Sequence, residues 1–202
     1  MEKRYISVDV ETTGRTPGKS SMLSIGACVV GDINKSFYNE LKPLPNAHYS
    51  SEATKIACSG LDALNGIKNK DSRYDPQSTK FEPRMALAIL QEKGKEPTRA
   101  MLEFYGWIKN VSDGFRPVMA AAPIVFDGMF INWYFDNFFE GINPFGHSGE
   151  DINSMYRGII KDTSAHIRNF GLRDKTKRHN ALEDAIQQAI EFEEVLKTIK
   201  TG

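Results

Sequence analysis

The chain has 202 residues, 40% of them hydrophobic and 26% charged, which suits a globular protein with one core and leaves little room for a second. Its formal net charge is zero, which excludes a surface broadly basic enough to hold long polyanions without local organisation. No run approaches the ~20 apolar residues of a membrane span. Met1-Glu2-Lys3-Arg4 leads straight into a strand-like segment, so no leader or membrane anchor is expected and the cytoplasm is the expected location. Cys28 and Cys58 both fall in apolar segments that read as core, without the spacing of a metal-binding pair, which fits a reducing compartment.

Residues 5–10 alternate as a strand does, with Ile6, Val8 and Val10 on one face. Thr12-Thr13-Gly14 breaks that strand, and 15–21 is a polar turn. Strands over 22–30 and 35–43 complete an N-terminal meander, and 47–60 is short-helical or irregular. Residues 65–83 are polar and charged, punctuated by Gly66, Pro76 and Pro83, and read as a surface excursion or insertion. Met101, Leu102, Phe104, Tyr105 and Ile108 recur at helical spacing within 98–111. The apolar run 117–125 suits a buried strand, and helices follow over 129–139 and 152–160. The clearest helix covers 181–199, where Leu182, Ala185, Ile186, Ala189, Ile190, Val195 and Leu196 form a stripe. Strands first and then strands alternating with helices predict one α/β domain over 1–202 with a mixed sheet.

Asp9 and Glu11 share the first predicted strand. Residues i and i+2 point to the same face, about 6.5–7 Å apart at Cα. Two carboxylates held side by side repel and lose solvation unless a cation lies between them, and their oxygens suit Mg²⁺ or Mn²⁺. A strand with a solvated polar face offers the same pattern. Asp127 follows the apolar run and opens the aromatic segment, where an Asp also serves as a helix N-cap. His179 precedes the last helix and Asp184 lies in its first two turns, so the two can converge, although acids there also favour the helix dipole.

Taken in order, the strand motif Asp9-x-Glu11-Thr12-Thr13-Gly14, the Phe126-Asp127 pair and His179-x-x-x-x-Asp184-Ala185 resemble the DnaQ-like, or DEDDh, 3′–5′ exonuclease family. The resemblance runs from Tyr5 to about Leu196. A sister group carries Tyr four residues before the last Asp; here Asn180 stands there and His179 is present, which favours the His subtype. The resemblance implies an RNase H-like fold with a five-stranded mixed sheet flanked by helices. It implies that Asp9, Glu11, Asp127 and Asp184 hold two divalent ions, Mg²⁺ or Mn²⁺, with Asp9 bridging and Asp127 acting through water. His179 would be the general base toward the attacking water, and Thr12 would offer backbone contacts to the terminal nucleotide. An imidazole, which ordinarily titrates near ~6.5, suits that task at physiological pH. Possible homodimerisation is implied on the same ground.

One departure concerns the family's His-Asn at the fifth and fourth positions before Asp127, where Ala122 and Pro123 offer no side-chain hydrogen bond. Arg168, Arg173, Lys175, Lys177 and Arg178, opposed only by Asp174, form a local basic stretch that is either a solvated loop or a phosphate contact. Phe126, Phe130, Trp133, Tyr134, Phe135, Phe138 and Phe139 have the spacing of core packing, though those nearest Asp127 could stack on a base. His48, His147 and His166 lack companions at ligand spacing and read as structural or surface residues. The expected activity is release of nucleoside 5′-monophosphates from the 3′ end of single-stranded DNA or RNA. Its alternatives are an RNA- or short-oligonucleotide-trimming enzyme, a polymerase proofreading subunit, and a silent nucleic-acid-binding module.

Overall fold

The computed structural model describes residues 2–172 and 179–200. Its organising strand is β1 (Lys3–Thr12), in which Ile6, Val8 and Val10 face one way and Ser7, Asp9 and Glu11 the other. Antiparallel to it runs β2 (Met22–Val29), buried along its whole length, and β3 (Asp32–Glu40) pairs antiparallel with β2. On the other side β4 (Arg116–Ala121) and then β5 (Gly149–Asp151) add parallel strands, giving the order β3-β2-β1-β4-β5. This is the five-stranded mixed sheet, flanked by helices, that the sequence reading expects.

Two helices cover the face that carries Ile6, Val8 and Val10. These are α3 (Pro97–Ser112), through Met101, Phe104 and Ile108, and α4 (Ile124–Phe138), through Phe130, Tyr134 and Phe135. The aromatic residues are therefore core, with Phe126, Trp133, Phe138 and Phe139 packed at its margin. The opposite face is covered by α5 (Ile152–Ile160) and by α6 (Ala181–Lys200), whose Phe192 and Val195 pack with Ala120 and Ile167. A third cluster lies beneath α1 (Ser51–Ala57) and α2 (Pro83–Lys93), where Leu23, Leu61, Leu64 and Leu90 meet. Residues 65–82 hold a 3₁₀ turn at Ser72–Tyr74, and Ile67, Tyr74 and Phe81 pack against this third cluster.

Several boundaries differ from the sequence reading for identifiable reasons. The apolar run 117–125 is not one strand: β4 ends at Ala121 and Ile124 already lies in α4. Pro123 has no N–H to continue a ladder, and it stands as the N-cap residue of that helix. Asp127 is consequently in the first turn and not the N-cap. Helix α2 escapes the pattern because Met85 to Leu90 are six apolar residues in a row, with no polar contrast to reveal a period. In α6 the packed face runs through Ala181, Ala185, Gln188, Phe192 and Val195, whereas Leu182, Ile186 and Ile190 of the expected stripe are only half-buried. The two cysteines are buried and unbonded to each other, as their settings suggest.

The β1–β2 register slips between Glu11 and Thr12, so Glu11 faces Ser24 while Thr12 faces Met22. At that slip the Met22 N–H leaves the ladder and donates to the Tyr134 hydroxyl at 2.7 Å. Tyr134→Phe would strand this buried donor and is expected to cost about 1–3 kcal/mol. A lower urea midpoint at unchanged m-value would register the loss.

Candidate active site

Asp9 lies opposite Gly26 on β2 and Glu11 opposite Ser24, both on the sheet face beneath α6. Between sheet and helix runs a seam of small residues. Gly26 and Cys28 project from β2 toward Ala181 and Ala185, and the Cys28 Sγ donates to the Ala185 carbonyl at 3.6 Å. A Cβ at Gly26 would run into the Ala181 carbonyl and the Leu182 nitrogen. One at Gly60 would meet the His179 carbonyl and the Asn180 side chain. Glycine at these two positions lets the start of α6 settle directly on the strands that carry the acids.

The entry into α6 is fixed by Asn180. Its Oδ1 accepts from the Leu182 and Glu183 N–H groups at 3.1 and 3.2 Å, which caps the helix. Its Nδ2 donates to the Gly60 carbonyl at 2.7 Å, which pins that cap to the segment after α1. His179 is left-handed, with φ of 65°, a conformation that costs a residue with a Cβ about 1–2 kcal/mol. Its N–H donates to Asp184 Oδ2 at 2.8 Å, which offsets part of that cost and ties the His backbone to the acid.

These constraints bring one donor atom each from Glu11, His179 and Asp184 within 4.8 Å of one another. Asp127 reaches the group from α4. It is 4% exposed, and its Oδ1 accepts from the Val10 N–H at 3.0 Å. Asp9 is held by Gln188, a residue the sequence reading missed, whose Nε2 donates to Asp9 Oδ1 at 2.9 Å. Its one signal is helical spacing: Gln188 stands four residues after Asp184 and shares its face. Gly26, Gly60 and Asn180 were missed as well, although a glycine inside an apolar strand is itself a mark of close backbone approach.

The electrostatics follow first from burial and then from crowding. Burial, and then the charges of Asp184 and Asp127, push the Glu11 carboxyl up to about 8. Burial and, to a lesser degree, Asp184 push Asp127 up to about 7, against the lowering effect of backbone hydrogen bonds from Val10 and its own N–H. Carboxylates that resist ionisation because they are buried and close to one another are relieved by a cation, and oxygen donors with one imidazole suit a hard divalent ion. The donor set therefore fits such an ion.

The remaining sequence candidates are placed differently. Thr12 is 7% exposed, and its hydroxyl donates to the Gly14 carbonyl at 2.7 Å. Ala122 and Pro123 join β4 to α4, with the Ala122 N–H donating to Gln188 Oε1. His48 and His147 are exposed, and His166 Nδ1 accepts from the Arg168 N–H as the cap of a 3₁₀ turn. Arg168 is exposed on that turn; Arg173, Lys175, Lys177 and Arg178 lie outside the described residues.

The chain is a 3′–5′ exonuclease by family, and its fold is the RNase H-like fold of the DnaQ-like nucleases. A protein from Escherichia coli described as the 3′–5′ DNA exonuclease Cap18 is 33% identical over 191 residues, covering 92% of this chain and 87% of its own. The chain belongs to the family described as the Rv2179c-like 3′–5′ exoribonuclease domain, which it matches over residues 4–196. Among solved structures, the nuclease domain of 3′hExo, a DEDDh family member bound to rAMP, superposes with a TM-score of 0.64 at 12% identity, covering 96% of this chain and 92% of that one. Escherichia coli exonuclease I in complex with a dT13 oligonucleotide gives 0.62 at 14% identity, covering 99% of this chain and 42% of that one. The Mg²⁺- and Mn²⁺-bound form of Pop2p from S. pombe gives 0.60 at 13% identity, covering 95% and 82%.

Two predictions arise from this geometry. Gly26→Ala lifts the first turn of α6 from the sheet and is expected to slow hydrolysis about a hundredfold, the order of effect of a ~1 Å misplacement. Its cost in stability is about 1–3 kcal/mol. Rates measured beside denaturation curves separate the two effects. The second concerns pH. Glu11 and Asp127 bind protons more tightly folded than unfolded, so their contribution to stability is fully present below the ordinary carboxylate range and is lost as pH rises toward about 8. In chelator, the melting temperature is expected to fall between pH 5.5 and pH 8.5, and Glu11→Gln is expected to flatten that decline.

Proposed function

We propose that this protein removes nucleoside 5′-monophosphates from the 3′ end of single-stranded nucleic acid, using two divalent cations, Mg²⁺ or Mn²⁺. The observation that carries the reading is the meeting of Glu11, His179 and Asp184 donor atoms within 4.8 Å beside buried Asp127. Asp9, Glu11, Asp127 and Asp184 would hold the cations in this reading. Asp127, one oxygen of which already accepts from Val10, acts through water. Bound cations would offset the negative charge that builds on the phosphate oxygens and would acidify the attacking water.

The chain's own groups do the rest. Four carboxylates would repel a phosphodiester, so substrate binding and cation binding are coupled. His179, exposed at the mouth of the site, takes the proton of the attacking water on a ring nitrogen. The backbone at Thr12 positions the terminal nucleotide, its side chain being turned inward. DNA is the first substrate in this reading, because the relative at 33% identity is described as a DNA exonuclease. The exoribonuclease description of the family supplies RNA as the second.

The test uses matched 5′-labelled single-stranded DNA and RNA with Mg²⁺ or Mn²⁺, resolved over time. A ladder shortening from the 3′ end is expected, absent in chelator and in Asp9→Ala. His179→Ala is expected to reduce its rate by about 10²–10⁴-fold. Which strand shortens faster decides between the two substrates. Failure of both strands to shorten with either ion would overturn the reading.

A further inference from the structure

Gln188 is a buried polar side chain on the sheet-facing side of α6, at 2% exposure. Its Nε2 donates to Asp9 Oδ1 at 2.9 Å, and its Oε1 accepts from the Ala122 N–H at 2.8 Å. An N–H can only donate and an ionised carboxylate can only accept. The amide therefore has one orientation that satisfies both neighbours, with its oxygen on Ala122 and its NH₂ on Asp9. A glutamate would present acceptors to both, a lysine donors to both, and a leucine or methionine neither.

Gln188 and its two partners lie on three separate segments. Asp9 is on β1, Ala122 leads from β4 into the helix that carries Asp127, and Gln188 follows Asp184 by one turn on α6. One amide thus joins every segment that contributes an acid to the site. We propose that Gln188 is a positioning residue for the cation site, holding one oxygen of Asp9 and so fixing the orientation of its carboxylate on the strand face that also carries Glu11. This inference rests on the two-cation reading above.

The electrostatics explain why an amide suits the place. Asp9 shares a strand face with Glu11, two residues on, and a fixed donor opposes rotation of its carboxylate away from that face. Lysine or arginine would grip Asp9 more strongly, yet its positive charge would compete with the cation for the same carboxylate. An uncharged donor orients the ligand and leaves its charge for the ion. The i, i+4 spacing keeps Asp184 and Gln188 on one helix face, and the Gly26–Ala181 contact brings that face low enough for the amide to reach β1.

Calorimetric titration of Mn²⁺ into the wild type, Asp9→Ala and Gln188→Met tests the role. Methionine keeps the length of the side chain and removes both hydrogen bonds. The expected result is Mn²⁺ binding about ten- to a hundredfold weaker in Gln188→Met, with a cooperative melting transition retained in chelator. In the Asp9→Ala background the same change is expected to cause no further loss. A purely structural role would lower the chelator melting temperature and leave Mn²⁺ affinity at the wild-type value, and that result overturns the inference. Absence of Mn²⁺ binding by the wild type would instead overturn the cation site, and the role of Gln188 with it. A second measurement leaves position 188 intact: the Gln188 side-chain amide resonances of the wild type are expected to shift on Mg²⁺ addition and again in Asp9→Ala. Resonances that move in neither case overturn the inference even where Gln188→Met does not fold.

Discussion

The contact between the first turn of α6 and strand β2 governs the geometry of the rest. A helix ordinarily rests on a sheet with side chains of some bulk between them, which would keep Asp184 away from β1. Here Gly26 faces the Ala181–Leu182 backbone, and Cys28 touches the Ala185 carbonyl. The helix settles close, and its Asp184 reaches Glu11. Apolar packing further along α6, at Phe192 and Val195, holds that approach against the repulsion it creates.

That repulsion is the second half of the design. Burial raises Glu11 and Asp127 more than their neighbours' charges do, so the site is costly first because it is dry and only then because it is crowded. Stability for the cluster comes from elsewhere: the α3–α4 core beneath β1, and backbone donors that grip the acids. Val10 N–H holds Asp127 and His179 N–H holds Asp184. Donors of this kind favour the ionised form, keeping carboxylates oriented for a cation that compensates them.

The legible and illegible parts of the sequence divide along physical lines. The alternation of Ile6, Val8 and Val10 exposes Asp9 and Glu11 as a pair on the other face, because a strand's period of two admits no other reading. Residues 152–160 and the long last helix are equally plain, and the ordered acidic motifs point to the class of enzyme. What escaped were contacts between segments distant in sequence. Nothing near Gln188 reveals that Asp9, 179 residues away, is its partner. A polar side chain is not ordinarily expected in a core, and the stripe through Leu182, Ile186 and Ile190 follows hydrophobicity where the helix follows fit. The three-residue β5 is too short for any period to appear, and its place beside β4 depends on a parallel crossover.

The segment from Ala122 to Ile124 shows how a departure from the family pattern is accommodated. Neither Ala122 nor Pro123 brings a polar side chain, and α4 has no side-chain cap of its own at Pro123. Its backbone donors are nevertheless engaged by residues from other elements. Gln188 accepts from the Ala122 N–H, and Asp151 Oδ2 accepts from the Ile124 N–H at 3.0 Å while its Oδ1 caps α5 through Ser154. Proline removes the one N–H between them. The start of α4 is thus held from two sides by α6 and by the β5–α5 junction, and Asp127 sits one turn into that helix. Orientation of the third acid therefore depends on side chains from two other elements, which makes the junction part of the site's architecture despite its apolar sequence.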